Sequence, residues 1–321
     1  MNLVRSAFSV SKVAITLTQL RSFLAVFRTG SVTAAADELV VTQPSVSAAV
    51  SALSREVGTD LTERVGRSIR PSPAGKAFAP YATDVIGLLD QGGRAAREAA
   101  DAATKELRIA AVTTAGEHIV PPLMEVFSAR HPEIMLSVDV GNRQRVFERV
   151  RTHESDVAIG GRPPSEGGVV GERFLDNPIV IITGAGDPLA RRRSVPLEQL
   201  AERPWLLREE GSGTRTMTEE FLASHDLRPQ VLTLGSNGAI KQSARAGLGI
   251  SLQSRLAAEL ELQLGLLEAI RVRTPPATRH WYVLRSEHGP PRPPVEDFVA
   301  FVRSEEGRRA VERAGRAGAP T

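Results

Sequence analysis

Apolar side chains near the start of the chain recur at steps of three and four. In "TQLRSFLAVFR", Leu20, Phe23, Leu24 and Phe27 fall at i, i+3, i+4 and i+7, the stripe of an amphipathic helix over 18–28, with Thr18 as candidate cap and Gly30 and Ser31 ending it. "SVTAAADELV" predicts a short alanine-rich helix and "VTQ" a tight turn. "PSVSAAVSALSREVG" predicts a third helix, with Pro44 in the first turn, where a missing N–H matters little, and Gly58 closing it. Its apolar side is Val46, Ala49, Val50 and Leu53; the other side carries Thr42, Gln43, Ser45, Ser47 and Ser51. "RVGRSIRPSPAG" then reads as a β-hairpin with Arg64, Arg67 and Arg70 around Gly66.

From Ala74 to about Ala103 the pattern lengthens. Phe78, Tyr81, Val85, Leu88, Gly92, Ala95, Ala99 and Ala102 alternate steps of three and four, the seam of a two-stranded coiled coil; packing against its own domain is the other reading. Gly92 and Gly93 each weaken such a helix by about 1 kcal/mol relative to Ala and allow a bend.

After "TKE" short apolar runs alternate with helical stripes. "LRIAAV", "IMLSVDV" and "DVAIG" read as strands, "EHIVPPLMEVFSARHP" and "RQRVFERVRT" as helices. A second set follows Pro178: "IVIITG", "LEQLAERPWLL", "TRTMTEEFLASH", "VLTLGS", "AIKQSARAG", "GISLQ" and "LAAELELQLG". "RHWYVLR" and a helix around "VEDFVAFVRSEEG" end the pattern. Such alternation implies a mainly parallel sheet with helices on both faces, and two sets imply two lobes, as in periplasmic binding proteins that close on a ligand.

The expected fold is therefore an all-α winged helix-turn-helix, a linker helix, and an α/β two-lobed, periplasmic-binding-protein-like effector domain. The boundaries are 16–74, 75–105 and 106–307, with lobe I at 106–177 and 283–307 and lobe II at 178–282. Residues 1–15 are expected to form a disordered extension, and 308–321, rich in Ala, Gly and Arg, a disordered tail.

Composition narrows the classes. The 321 residues are 41% hydrophobic and 24% charged, and no run approaches the length of a membrane helix; a soluble, cytoplasmic protein is expected. Absence of cysteine removes disulfides and thiolate chemistry, and six scattered histidines lack metal-ligand spacing, so neither metal nor cofactor is expected. A net charge of +3 is too small to name a partner; where the charge lies decides that.

Three short helices with a tight turn before the last are the arrangement that puts a helix N-terminus into the DNA major groove. Thr33, Thr42, Gln43, Pro44, Ser45, Ser47, Ser51, Arg64, Arg67 and Arg70 are the candidate DNA contacts: hydroxyls and an amide for bases and phosphates, arginines for the backbone. A three-helix protein-interaction domain is the competing reading.

Ligands in open parallel sheets bind beyond the C-terminal strand ends, where helix N-termini offer free N–H groups. That rule picks out the loops "TTAGE", "GNR", "GGRPP", "REEGSGTR" and "GSNGAI". Thr113, Thr114, Asn142, Arg162, Gly211, Ser212, Gly213, Thr214, Arg215, Ser236 and Asn237 would converge on one cleft, with Thr214 as helix cap and Arg215 as counter-charge. Hydroxyls, amides and guanidinium groups suit a small anion, a phosphorylated or carboxylate metabolite. No nucleophile elbow, P-loop or dinucleotide fingerprint accompanies them, which sets an acyl-transfer enzyme far behind. A free-standing solute-binding protein fits the lobes but leaves the first hundred residues unexplained.

The stretch from Leu17 to Gly75 resembles the winged helix-turn-helix of LysR-type transcriptional regulators, through "GSVTAAADEL", "TQPSVS", "R-x-G-R" and "S-P-A-G". Ala34, Ala48, Ala49 and Thr62 stand where that family usually has cationic, polar or aromatic residues, which implies weaker sequence-independent binding. "GGRPP", "REEGSGTR", "SNGAIKQSARAGLGIS" and "RHWYVLR" are similar to the CbbR-like branch, regulators of Calvin-cycle operons that respond to phosphorylated metabolites or reduced nicotinamide nucleotide. The resemblance implies a homodimer or homotetramer paired through the linker helix at Phe78, Tyr81, Val85 and Leu88, bound to double-stranded DNA, responsive to an effector and working with RNA polymerase.

Overall fold

A computed structural model describes residues 14–65, 68–101 and 105–316. Two compact units, 1–93 and 94–321, divide the chain within one long helix.

The first unit opens with α1 (Leu17–Thr29), α2 (Val32–Leu39) and α3 (Gln43–Val57). The α1 cap is Thr16, not Thr18: a capping box with Gln19 satisfies two end groups at once, which a cap one residue inside the helix could not do. Ser31 and Thr42 cap α2 and α3, and Gly30 and Gly58 end α1 and α3 in the left-handed region. Phe23, Ala35, Val46, Leu53 and Leu61 are fully enclosed, each large side chain contributing about 1.5–3 kcal/mol by burial. Residues 1–13 of the expected extension lie outside the described residues, but Ile15 packs against this core because it is apolar and adjoins α1.

A hairpin follows, β1 (Thr62–Val65) antiparallel to β2 (Ser68–Pro71), with Glu63 opposite Arg70. It leads into α4 (Pro73–Ala100). Ser72 Oγ donates to the Asp60 carbonyl and accepts from Gly75 N–H, tying the hairpin to the helix start. A Cβ on Gly75 would stand 2.0 Å from the Leu61 carbonyl oxygen, so this position admits only glycine.

In the second unit, lobe I holds β3 (Glu106–Val112), α5 (Thr113–His118), α6 (Val120–Arg130), β4 (Met135–Gly141), α7 (Arg143–Arg151), β5 (Val157–Gly160) and β6 (Val169–Asn177). The chain passes to lobe II at Pro178 with β7 (Ile179–Gly184), α8 (Glu198–Ala201), β8 (Trp205–Arg208), α9 (Gly213–Ser224), β9 (Val231–Leu234), α10 (Asn237–Arg245), β10 (Ser251–Ser254), α11 (Arg255–Gln263) and β11 (Leu267–Ile270). It returns through β12 (Arg279–Ser286) to α12 (Pro293–Arg303) and α13 (Glu305–Arg316).

The sheets are mixed. β3 runs parallel to β4 and β5, but β12 is antiparallel to β5 and β6, in the order β4-β3-β5-β12-β6. In lobe II β7 lies antiparallel between β10 and β11, and β8 runs parallel to β9. Chain crossings are the reason: β7 and β12 each enter a lobe from the other one, against the direction of the local β-α units. Lobe I thus regains the chain at Arg279, a few residues before the expected 283.

The expected disordered tail is helical to Arg316, and 317–321 lie outside the described residues. Ala310 and Val311 are buried, and Gly307 lets α13 turn tightly on α12, since a Cβ there would meet the Phe301 carbonyl oxygen at 2.4 Å. Composition alone hides this apolar face because arginines and glutamates surround it.

Candidate functional sites

On the first unit the polar face of α3 is laid out as its periodicity requires. Val46, Val50 and Leu53 point into the core, while Thr33, Thr42, Gln43, Pro44, Ser45, Ser47 and Ser51 are exposed. Thr42 Oγ1 accepts from Ser45 N–H and lies 2.7 Å from Ser45 Oγ, so two of these hydroxyls also hold the helix start in place. Arg64 and Arg70 stand exposed on the hairpin; Arg67 lies outside the described residues.

The seam expected on α4 divides in two. Phe78 lies 5.7 Å from Phe23, centroid to centroid, as part of the unit's own core. Tyr81, 71% exposed, Val85 and Leu89 form an outward apolar stripe, with Leu88 half-buried beside it. Phe78 is drawn inward because α4 must also cover α1.

Between the lobes of the second unit lies a cavity of about 500 Å³. Thr113, Thr114, Asn142, Arg162, Ser212, Gly213 and Thr214 line it; Gly211, Arg215, Ser236 and Asn237 do not. Ser212, not Thr214, occupies the cap position of α9, placing Gly213 and Thr214 in the first turn, whose N–H groups have no partner within the helix. Thr113 and Thr114 begin α5 instead of lying in a loop.

Arg215 faces away. Its Nε donates to Glu219 at 2.7 Å and an Nη1 N–H reaches the Arg208 carbonyl, because the cavity face of α9 is that of Gly213, Thr216, Met217 and Glu220, at i, i+3, i+4 and i+7, and two steps along a helix turn Arg215 about 200° from Gly213. Gly211, at φ +80°, serves the junction between lobes: Gln144 N–H donates to its carbonyl at 3.1 Å, and a Cβ would fall 2.8 Å from Gln144 Oε1. Ser236 caps α10, and Asn237 is buried behind the wall of the cavity.

Asn237 joins both lobes. Its Nδ2 donates to Thr114 Oγ1 at 3.0 Å, and its Oδ1 accepts from Arg208. Arg208, 4% exposed, also grips Glu209 through Nε at 2.7 Å and Nη2 at 2.9 Å, which neutralises it.

Sequence reasoning missed Arg143, Arg208, Arg279 and His280, which all line the cavity. Arg143 directly follows the selected Asn142, and Arg208 opens the selected loop; the strand-end rule marks segments, not the side of a helix or strand each residue takes. Arg279 pairs with Glu220. Arg143 packs over Phe147 at 4.3 Å and donates to the Arg162 carbonyl at 2.9 Å. Among the described residues no carboxylate lies within ion-pair distance of Arg143 or Arg162. Burial, reinforced by the charge of Arg279 and opposed by Glu220, loosens the hold of Arg143 on its proton. A partly desolvated guanidinium of this kind gains from an anion beside it. Among the described residues no cluster of His, Asp and Glu could hold a metal ion, and no helix is long and apolar enough to cross a membrane.

Residues 17–76 match the bacterial regulatory helix-turn-helix family of LysR type, and residues 100–307 match the LysR substrate binding domain. The HTH-type transcriptional activator CmpR of Synechocystis is 37% identical over 84% of this chain and 88% of its own. The RuBisCO operon transcriptional regulator of Allochromatium vinosum is 36% identical over 92% of this chain and 97% of its own. Among solved structures, the Synechocystis CcmR regulatory domain in complex with 2-PG is 32% identical and superposes with a TM-score of 0.59, covering 62% of this chain and 96% of that one. Full-length CbnR with its target DNA, 20% identical, shares the fold over 92% of this chain and 99% of its own, with a TM-score of 0.57. The chain belongs to the LysR family: it is a DNA-binding transcriptional regulator with an effector-binding domain, and not an enzyme.

Proposed function

We propose that the interlobe cavity takes a small anionic metabolite, a carboxylate or phosphate ester, and that its binding sets the regulator's state on DNA. The observation that carries this reading is the pair of cations, Arg143 and Arg162, facing the cavity without a carboxylate partner among the described residues. The first turn of α9, at Gly213 and Thr214, adds N–H donors and the positive end of a helix dipole. Thr113 and Ser212 supply hydroxyls. The solved CcmR domain was in complex with 2-PG, which makes 2-PG the first compound to try here.

The stripe Tyr81, Val85, Leu89 joins α4 to a second copy, giving a dimer or a pair of dimers, and the exposed face of α3 with Arg64 and Arg70 reads the duplex. Relatives named as regulators of RuBisCO operons make RuBisCO operon promoters the first DNA targets to try, and the relative named an activator supports contact with RNA polymerase. Calorimetric titration of the full chain with 2-PG and a panel of phosphorylated and carboxylate metabolites tests the cavity. Saturable binding of an anion that is lost in Arg143→Ala supports the reading; binding of uncharged compounds alone overturns it.

A further inference from the structure

Lobe II carries a second concentration of positive charge, on residues that do not line the cavity. Arg191, Arg192 and Arg193 lie exposed on the segment between β7 and α8. That segment runs beside the end of β11: Val195 bridges Val272, Val195 N–H donates to the Arg271 carbonyl at 2.8 Å, and Arg273 N–H donates to the Val195 carbonyl at 3.2 Å. The exposed Arg271 and Arg273 thereby join the first three on one stretch of surface.

Unpaired arginines occur at the cavity as well, but here five lie on one stretch of surface. Elsewhere in the unit Arg130, Arg145, Arg151, Arg173 and Arg303 each take a carboxylate partner. Among the described residues none of Arg191, Arg192, Arg193, Arg271 and Arg273 does; Arg192 donates only to the neutral Gln199 side chain, at 2.7 Å. Like charges gathered without counter-charges repel one another, and a polyanion relieves that repulsion.

We infer that this five-arginine surface of the effector domain binds the sugar-phosphate backbone of duplex DNA, as a contact additional to that of the helix-turn-helix unit. Guanidinium forks match phosphate oxygens in pairs, where an ammonium offers only a point charge. The patch has no exposed aromatic or large aliphatic anchor: Val195 is buried, and the neighbours are Ser194, Thr274 and Pro275. Protein interfaces usually rest on such anchors, whereas backbone contact with DNA needs none. This favours the polyanion over an acidic protein.

The test is a salt titration of full-length protein on a mixed-sequence duplex. Each phosphate contact contributes about 0.9 to the slope of log K against log salt, so Arg191→Gln/Arg192→Gln/Arg193→Gln should flatten that slope by about two to three. Arg271→Gln/Arg273→Gln should flatten it by about one to two, a second reading should the triple variant fold poorly. Arg173→Gln/Arg228→Gln/Arg303→Gln removes the same net charge from paired arginines and should leave the slope nearly unchanged. Unaltered slopes in both patch variants overturn the inference, as does equal flattening in the control. So would lost binding to RNA polymerase with the DNA slope intact, which would assign the patch to a protein.

Discussion

The Nδ2 amide of Asn237, at the start of α10 in lobe II, donates to Thr114 Oγ1 of lobe I at 3.0 Å, while its Oδ1 holds Arg208. One buried side chain therefore links the first turn of α5 to a cation on the cavity wall, and any change in the gap between lobes must stretch or release it. Losing a partner in such a site leaves polar groups unsatisfied at about 1–3 kcal/mol. Asn237→Ala should weaken anion binding by about tenfold with DNA retardation kept, and Asn237→Ser, small and polar, should recover part of it. Unchanged affinity in Asn237→Ala by calorimetry would remove the residue from the binding mechanism.

Arg143 takes the cavity-facing place that the sequence suggested for Arg215. Arg143→Ala should lower affinity for an anionic effector by one to two orders of magnitude, equivalent to about 1.5–3 kcal/mol for a charge-assisted contact. Arg215→Ala removes an i,i+4 pair with Glu219 and should leave that affinity within about threefold, since such pairs contribute about 0.3–0.5 kcal/mol. The opposite ranking would show that the ligand sits behind α9.

A buried charge network fastens the last turns of α4 to lobe I. The Asp156 carboxylate receives the guanidinium groups of Arg94 at 2.9 Å, Arg292 at 2.8 Å and Arg108 at 3.4 Å, together with the Arg108 backbone N–H at 2.9 Å, and Arg292 also pairs with Glu98. Asp156→Asn keeps the shape and removes the charge among three guanidinium groups, so the second unit should lose about 3–5 kcal/mol in denaturant unfolding. A loss below about 1 kcal/mol would mean that solvent already screens the cluster.

Val40 ends α2 with φ 54°, a left-handed conformation that a β-branched residue adopts with strain, and it is 90% exposed. Val40→Asn should stabilise the first unit by about 1 kcal/mol and raise its melting transition by several degrees. A lower transition would show that the Val40 side chain contributes contacts beyond its backbone strain.

His118 of α5 is kept neutral chiefly by burial, with Lys241 acting the same way and Glu117 and Glu261 opposing. Its pKa lies below the ordinary 6.5, so the unfolded chain takes up the proton first. Stability is whole above that ordinary value and falls as the pH drops through it toward the folded value. His118→Gln should lessen the fall in melting temperature of the second unit between about pH 7.5 and pH 5.5, where histidine is the side chain that titrates. An identical decline in both proteins would place the titration elsewhere.

Local rules carried the sequence a long way. Apolar spacing in α1 and α3 determined the helices, their buried faces and the exposed hydroxyls opposite, because a helix repeats every 3.6 residues whatever surrounds it. The strand-end rule found seven of the residues that line the cavity. Tertiary structure alone decided that Arg143 and not Arg215 turns inward, that Asn237 binds two lobes together, that Phe78 joins a core, and that β7 and β12 run against their neighbours. Each of these depends on which surface meets a given side chain from far along the chain, and periodicity within a segment holds no information about that partner. The sequence specified the pieces and their faces; packing of distant pieces, Thr114 against Asn237 across 123 positions, assembled the site.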